Sequence, residues 1–148
     1  MKISDLLSPN DVMTDVSATD KQKLLRTLAH KGGAIVDVLP EQVLAELQRR
    51  EELGSTGIGG GVALPHARFH QLDRPIGVLD RLRKRIDFEA VDGEPVDLVF
   101  LLLLPEAAAG DQLGALASIA RKLRDAHVRA ALRKAADGPQ MYRALISD

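Results

Sequence analysis

A histidine and two arginines stand around a glycine-rich stretch. Arg50 precedes the run Gly54-Ser55-Thr56-Gly57-Ile58-Gly59-Gly60-Gly61, and His66 follows it with Arg68 two residues on. Five of the chain's 12 glycines fall in this run. An imidazole is largely neutral at pH 7 and in that form is a nucleophile. Guanidinium groups beside it stabilise the spread negative charge of a transferring phosphoryl group, and they also disfavour imidazolium. Backbone N–H groups of Gly57 and Gly59, with the Ser55 and Thr56 hydroxyls, are donors suited to phosphoryl oxygens. The chemistry open to this set is the carriage of a phosphoryl group on His66.

Other chemistries fit these residues less well. A P-loop needs Gly-Lys-Ser/Thr after its glycines, and no lysine lies between Glu51 and Arg83. A dinucleotide fingerprint starting at Gly57-Ile58-Gly59 has Val62 where its last glycine belongs, and it precedes a strand rather than a helix. His66, His70 and Asp73 lack the helical spacing that would hold the two histidines on one metal-binding face. A Ser55–His66 hydrolase pair lacks the Gly-x-Ser-x-Gly elbow. Bland explanations exist too: Glu46 lies four residues before Arg50, at helical pairing distance, and His30, His70 and His127 read as structural.

Several elements must position the set. Thr19-Asp20-Lys21-Gln22 has the form of a capping box and opens a helix carrying Leu24, Leu25 and Leu28, which residues 34–36 extend past Gly32-Gly33. Pro40 suits the first turn of a second helix, with Val43, Leu44 and Leu47 inward and Gly54 at its C′ position. Arg50 then lies in the last turn, next to the loop. Residues 62–64 read as a short buried strand delivering His66 to its end. Residues 76–82 are a strand candidate broken by Asp80 and Arg81, and the basic run 81–85 reads as a solvated edge strand or turn. Residues 3–9 read as an arm whose Leu6 and Leu7 pack on the body. Asp92-Gly93 marks a turn before residues 96–104, a continuous apolar run with the pattern of a central strand covered on both faces. Three helices follow, opened by Asp111 (with Leu113, Leu116, Ala120 and Leu123 inward), by Asp125 (with Val128, Leu132 and Ala135) and by Asp137 (with Met141, Leu145 and Ile146). The class is α/β with a small mixed sheet.

The 148 residues fit one domain with one core of ordinary size. With 20 basic and 21 acidic residues, the chain carries no excess that would support broad nucleic-acid or membrane-surface binding. The absence of cysteine excludes disulfides, thiolate catalysis and Cys-based metal sites. No apolar run approaches the length of a membrane span, and the expectation is a soluble, cytoplasmic protein.

The segment Arg50-Glu51-Glu52-Leu53-Gly54-Ser55-Thr56-Gly57-Ile58-Gly59, continued through Leu64-Pro65-His66-Ala67-Arg68, resembles the active-site signature of phosphotransferase-system IIA proteins of the mannitol/fructose type, and among them the nitrogen-related branch. Residues 3–9 and 88–98 are similar to that branch as well, so the resemblance covers nearly the whole chain. It implies a single EIIA type-2 domain over residues 1–148, with a central mixed β-sheet flanked by helices on both sides. It implies that His66 accepts phosphate at Nε2 from a small histidine phosphocarrier of the HPr/NPr kind, with phosphoenolpyruvate as the ultimate donor. Arg50 and Arg68 take the places of the family's phosphate-supporting residues, and no metal or cofactor is implied. One departure stands out: many members carry a second histidine where this chain has Gln112, which can donate an N–H bond but cannot become a cation. The resemblance further implies a regulatory protein whose phosphorylation state selects its targets, in potassium transport, nitrogen metabolism or a sensor kinase. The alternative is a relay in sugar uptake that passes phosphate to a IIB domain.

Overall fold

The computed structural model describes residues 1–107 and 110–147, apart from the side chains of Asp111 and Leu113. Six strands form one sheet: β1 (Leu7–Val16), β2 (Gly57–Gly59), β3 (Val62–Ala63), β4 (His66–Phe69), β5 (Ile76–Ile86) and β6 (Val96–Pro105). The order is β1-β5-β6-β3-β2, and β4 also pairs with β6. Pairing is parallel for β1 with β5 and for β3 and β4 with β6, and antiparallel for β5 with β6 and β2 with β3. The helices are α1 (Lys21–Val36), α2 (Pro40–Glu52), α3 (Ala115–Arg124), α4 (Ala126–Lys134) and α5 (Gly138–Ile146).

Both faces of the sheet are covered. On one, Leu24, Leu25 and Leu28 of α1 and Val43 and Leu47 of α2 pack on Val99, Leu101 and Leu103 of β6. On the other, Ile119 and Leu123 of α3, Leu132 of α4 and Met141 and Leu145 of α5 meet Leu98, Phe100 and Leu102. Alternate residues of β6 thus enter opposite layers, which is why its sequence is continuously apolar. The expected α/β class, with a mixed sheet between helices, is what the chain adopts.

Local signals place most helix ends. Pro40 sits in the first turn of α2 and Gly54 follows its C-cap, as its spacing predicts. Asp125 accepts from the N–H groups of His127 and Val128, and Asp137 accepts from Gln140 at 2.9 Å. Three expectations are corrected. The N-cap of α1 is Asp20, whose carboxylate takes the Lys23 N–H at 2.8 Å, so Thr19 does not form the capping box. The helix expected from Asp111 starts at Ala115, after a 3-10 turn over Gly110–Gly114. The Asp111 cap and the inward Leu113 fall outside the described side chains. The N-terminal arm is only partly an arm: Leu6 and Leu7 are buried, but Leu7 opens the ten-residue strand β1. Pro9 is tolerated because β1 is an edge strand.

The basic run is the largest revision. Residues 81–85 belong to β5, which lies between β1 and β6 rather than at an edge, although Arg83, Lys84 and Arg85 are exposed to solvent there, as expected. Two partners distant in sequence make this possible. Asp80, fully buried, receives Lys31 Nζ of α1 at 3.1 Å on both carboxylate oxygens. Arg81 donates from Nη1 to the carbonyls of Leu132 at 2.9 Å and Ala135 at 2.8 Å, satisfying acceptors left open at the end of α4.

Candidate functional site

β3 and β4 lie end to end along one edge of β6. Ala63 pairs with Val99, the ladder is interrupted at Leu64-Pro65, and pairing resumes in the same register with His66 opposite Leu102. His66 therefore opens a separate strand instead of closing the one before it. Along β4, Ala67 and Phe69 are buried, so the alternating His66 and Arg68 are turned outward. Across the site, α2 brings Arg50 up in its last turn. These side chains, with Leu53, Leu104 and Leu116, line an open hollow of about 370 Å³. Leu53 is 82% exposed, an apolar side chain left in water on the rim of this hollow.

The hydrogen bonds of the imidazole determine its tautomer. Arg50 Nε lies 3.2 Å from His66 Nε2. A guanidinium can only donate, so Nε2 is the acceptor and bears no proton. The proton is on Nδ1, which donates to the Leu64 carbonyl at 2.8 Å. The Nε2 lone pair thus faces the hollow beside a cation. Arg50 is held in turn by its Nη1 bond to the Gly54 carbonyl at 2.9 Å, while Glu46 pairs with Arg49 at 2.5 Å. The bland alternative, a Glu46–Arg50 pair, is not what Arg50 makes: it turns to His66 and Gly54 instead.

Burial pushes the His66 imidazole below its ordinary pKa; the bond to Leu64 opposes this, Arg50 pushes further down, Glu51 opposes, and Arg68 adds to the fall. The neutral nucleophile accordingly persists at pH 7 and somewhat below. An NMR titration of the His66 ring should give a midpoint under about 6.5, the ordinary imidazole value. The unfolded chain takes up this proton first as pH falls. The stability His66 contributes is therefore present above about 6.5 and lost as pH drops through that value toward the folded pKa. A midpoint above the ordinary value would contradict the geometry.

The glycine-rich run folds as a hairpin rather than an open cradle. Gly57 and Gly59 pair with Ala63 and Val62 across a two-residue turn, Gly60-Gly61, whose φ values of 66° and 79° suit a primed turn. The Gly57 N–H donates to Ser55 Oγ at 3.1 Å, and the Ser55 hydroxyl donates to the Phe88 carbonyl at 2.9 Å. The Thr56 hydroxyl and N–H both go to the Glu51 carboxylate. Gln112 Nε2 donates to the Asp73 carbonyl at 3.3 Å, tying the 3-10 turn to the loop after β4. The structure thus brings His66, Arg50 and Arg68 together, while Ser55, Thr56 and Gln112 are engaged with their own surroundings. Glu51, its partner Lys21 at 3.0 Å and the Leu64 carbonyl were not singled out from the sequence. A signal existed in Glu51, an acid beside Arg50 whose helical position turns it inward. Among the described residues no group of three His, Asp or Glu side chains could hold a metal ion, so His66, His70 and Asp73 do not form such a site. No described helix is long and apolar enough to cross a membrane.

Comparison with known proteins gives consistent matches. The sequence model of the family described as "Phosphoenolpyruvate-dependent sugar phosphotransferase system, EIIA 2" matches residues 5–148. The nitrogen regulatory protein of Bradyrhizobium diazoefficiens is 42% identical over 145 residues, covering 98% of this chain and 95% of that one. The crystal structure of nitrogen regulatory protein IIA-Ntr from Neisseria meningitidis superposes with a TM-score of 0.91 at 31% identity, covering 97% of this chain and 98% of the other. The mannitol enzyme IIA of Escherichia coli, determined in complex with phosphorylated mannitol enzyme IIB, has the same fold at a TM-score of 0.79 and 17% identity, covering 97% of this chain and 100% of that chain.

Proposed function

This chain belongs to the EIIA 2 family of the phosphoenolpyruvate-dependent sugar phosphotransferase system, and from that premise we propose that it carries a phosphoryl group on His66 as a regulatory protein of the nitrogen branch. The observation that carries this reading is the Nε2 lone pair of a neutral imidazole, presented to an open hollow beside Arg50. The donor is a histidine phosphocarrier of the HPr/NPr kind, and residues 1–148 act as one domain in the cytoplasm. As Nε2 forms its bond to phosphorus, the donor's N–P bond breaks. The Arg50 guanidinium moves from the lone pair to a phosphoryl oxygen, joined by Arg68, and the charge they neutralise is greatest during transfer. The Nδ1 proton stays on the ring, where the Leu64 carbonyl stabilises the positive charge that develops. Ser55, Thr56, Gly57 and Gly59 shape the hairpin behind the imidazole. Gln112 holds the neighbouring turn and tunes the site without being needed for acceptance.

The test is incubation with phosphoenolpyruvate and the first two proteins of the cascade. One acid-labile, alkali-stable phosphoryl group per chain is expected; an acid-stable ester or no uptake refutes the reading. Onward transfer to a IIB domain would instead favour the sugar-uptake alternative. Arg50→Ala should slow acceptance by about a hundredfold, the low end of the effect of losing one charge-stabilising donor. Its fold should persist, because the two bonds lost, to the exposed Gly54 carbonyl and to the half-buried His66 ring, contribute about 1 kcal/mol each. Transfer at full speed would remove Arg50 from the site.

A further inference from the structure

Glu51 precedes the hairpin by a few residues, and its side chain is only 7% exposed. One oxygen takes the Thr56 N–H at 3.0 Å and Lys21 Nζ at 3.0 Å, and the other takes the Thr56 hydroxyl. Lys21 is itself seated 4.6 Å from the centre of the Phe88 ring. A carboxylate gripping both the N–H and the hydroxyl of one residue fixes that residue's peptide planes. Thr56 passes the constraint on: its carbonyl accepts the Leu64 N–H at 2.9 Å. The Leu64 carbonyl then accepts the His66 Nδ1 proton at 2.8 Å. The peptide that bears this carbonyl ends on Pro65, which has no N–H to anchor it. Its direction is set from both sides, by the Leu64 amide held from Thr56 and by the Pro65 carbonyl, which accepts the Leu102 N–H at 3.0 Å.

We propose that Glu51 is a positioning residue that, through Thr56 and Leu64, works with the Arg50 donor to hold the His66 proton on Nδ1. This rests on His66 being the phosphoryl acceptor. An isolated neutral histidine side chain favours the proton on Nε2, the tautomer that leaves no lone pair toward the hollow. The partner of one ring nitrogen decides the state of the other. Held by Glu51, the Leu64 carbonyl draws the proton to Nδ1 and frees Nε2 for phosphorus. Glu51 touches neither the imidazole nor the phosphoryl group. It acts by keeping the nucleophile in its reactive form.

The test reads the ¹⁵N imidazole shifts of His66 in unphosphorylated protein at a pH where the ring is neutral, alongside the rate of phosphoryl acceptance. Wild-type protein should show the Nδ1–H pattern. Glu51→Ala should shift His66 part of the way toward Nε2–H, against the Arg50 donor that remains, and slow acceptance by about ten- to hundredfold, as loss of groups that orient a ligating histidine does. Glu51→Gln, which can still accept from the Thr56 N–H, should keep the Nδ1–H form and lose at most about threefold. A folded Glu51→Ala protein with the wild-type tautomer overturns the proposal, whatever its melting temperature, because a purely structural role lowers stability without moving the proton. Should Glu51→Ala not fold, Glu51→Leu fills much of the same space while accepting from neither group of Thr56, and an unchanged tautomer there overturns the proposal equally. The tautomer is read without phosphate, so this result is separate from a failure of the wild-type chain to accept it.

Discussion

His66→Ala should take up no phosphoryl group under conditions that fully label the wild-type chain. Losing the attacking atom is the largest single loss a transfer site can suffer, on the order of 10⁴-fold or more, which places the variant below detection. Its neighbours cannot substitute. Arg50 and Arg68 remain protonated and have no lone pair to offer. The Ser55 hydroxyl is already donated to the Phe88 carbonyl and the Thr56 hydroxyl to Glu51. His30, His70 and His127 are exposed and lack the arginine contact that His66 has. Thermal unfolding should show that the variant keeps its fold, since His66 is only half-buried and the sheet is held through β6. Label retained on His66→Ala, measured by intact mass with an acid-lability control, would move the chemistry to another residue.

Lys31→Met should cost the protein about 3 kcal/mol of stability, seen as a fall in the denaturant midpoint at unchanged slope. The pair it breaks is unequal: Asp80 is fully buried, while the Lys31 side chain is 26% exposed. Removing the lysine strands a carboxylate in the sheet; breaking a buried pair costs about 3–5 kcal/mol, and the partly wet lysine places this one at the low end. Burial already raises the Asp80 pKa, and Lys31 holds it down. Without Lys31 the folded chain binds that proton more readily than the unfolded chain does. The deficit of Lys31→Met should therefore shrink as pH falls through the raised folded pKa. Combining it with Asp80→Leu should recover much of the loss, because an apolar pair of similar volume leaves no charge to solvate. A single variant as stable as wild type, at neutral pH, would mean that water reaches Asp80.

The parts of the fold legible in the sequence were those encoded locally. Pro40 and Gly54 bracket α2, Asp125 and Asp137 cap their helices, and the apolar run of β6 announces a strand covered twice. The strand β1 escaped because Ser8, Pro9, Asn10 and Asp11 interrupt its apolar pattern, and an edge strand buries only part of itself. β5 was misplaced for a related reason. A window around Asp80 and Arg81 contains charge but neither Lys31 nor the carbonyl groups at the end of α4 that neutralise it.

The sequence by itself pointed to an α/β architecture and to His66, Arg50 and Arg68 standing around one loop, where they do line one hollow, and the resemblance of that segment pointed to the family. These depend on residue type and spacing, which the sequence states outright. Tertiary structure alone decided which nitrogen of His66 carries the proton, that Arg50 turns to the imidazole rather than to Glu46, and that the glycines make a hairpin while the Ser55 hydroxyl, the Thr56 donors and the Gly60 N–H are taken by Phe88, Glu51 and Asp92. Each of these rests on a hydrogen bond between groups brought together by the pairing of β4 with β6 and the packing of α2 beside it. Hydrogen bonds depend on distances of tenths of an ångström and on direction, and neither exists until the chain has folded.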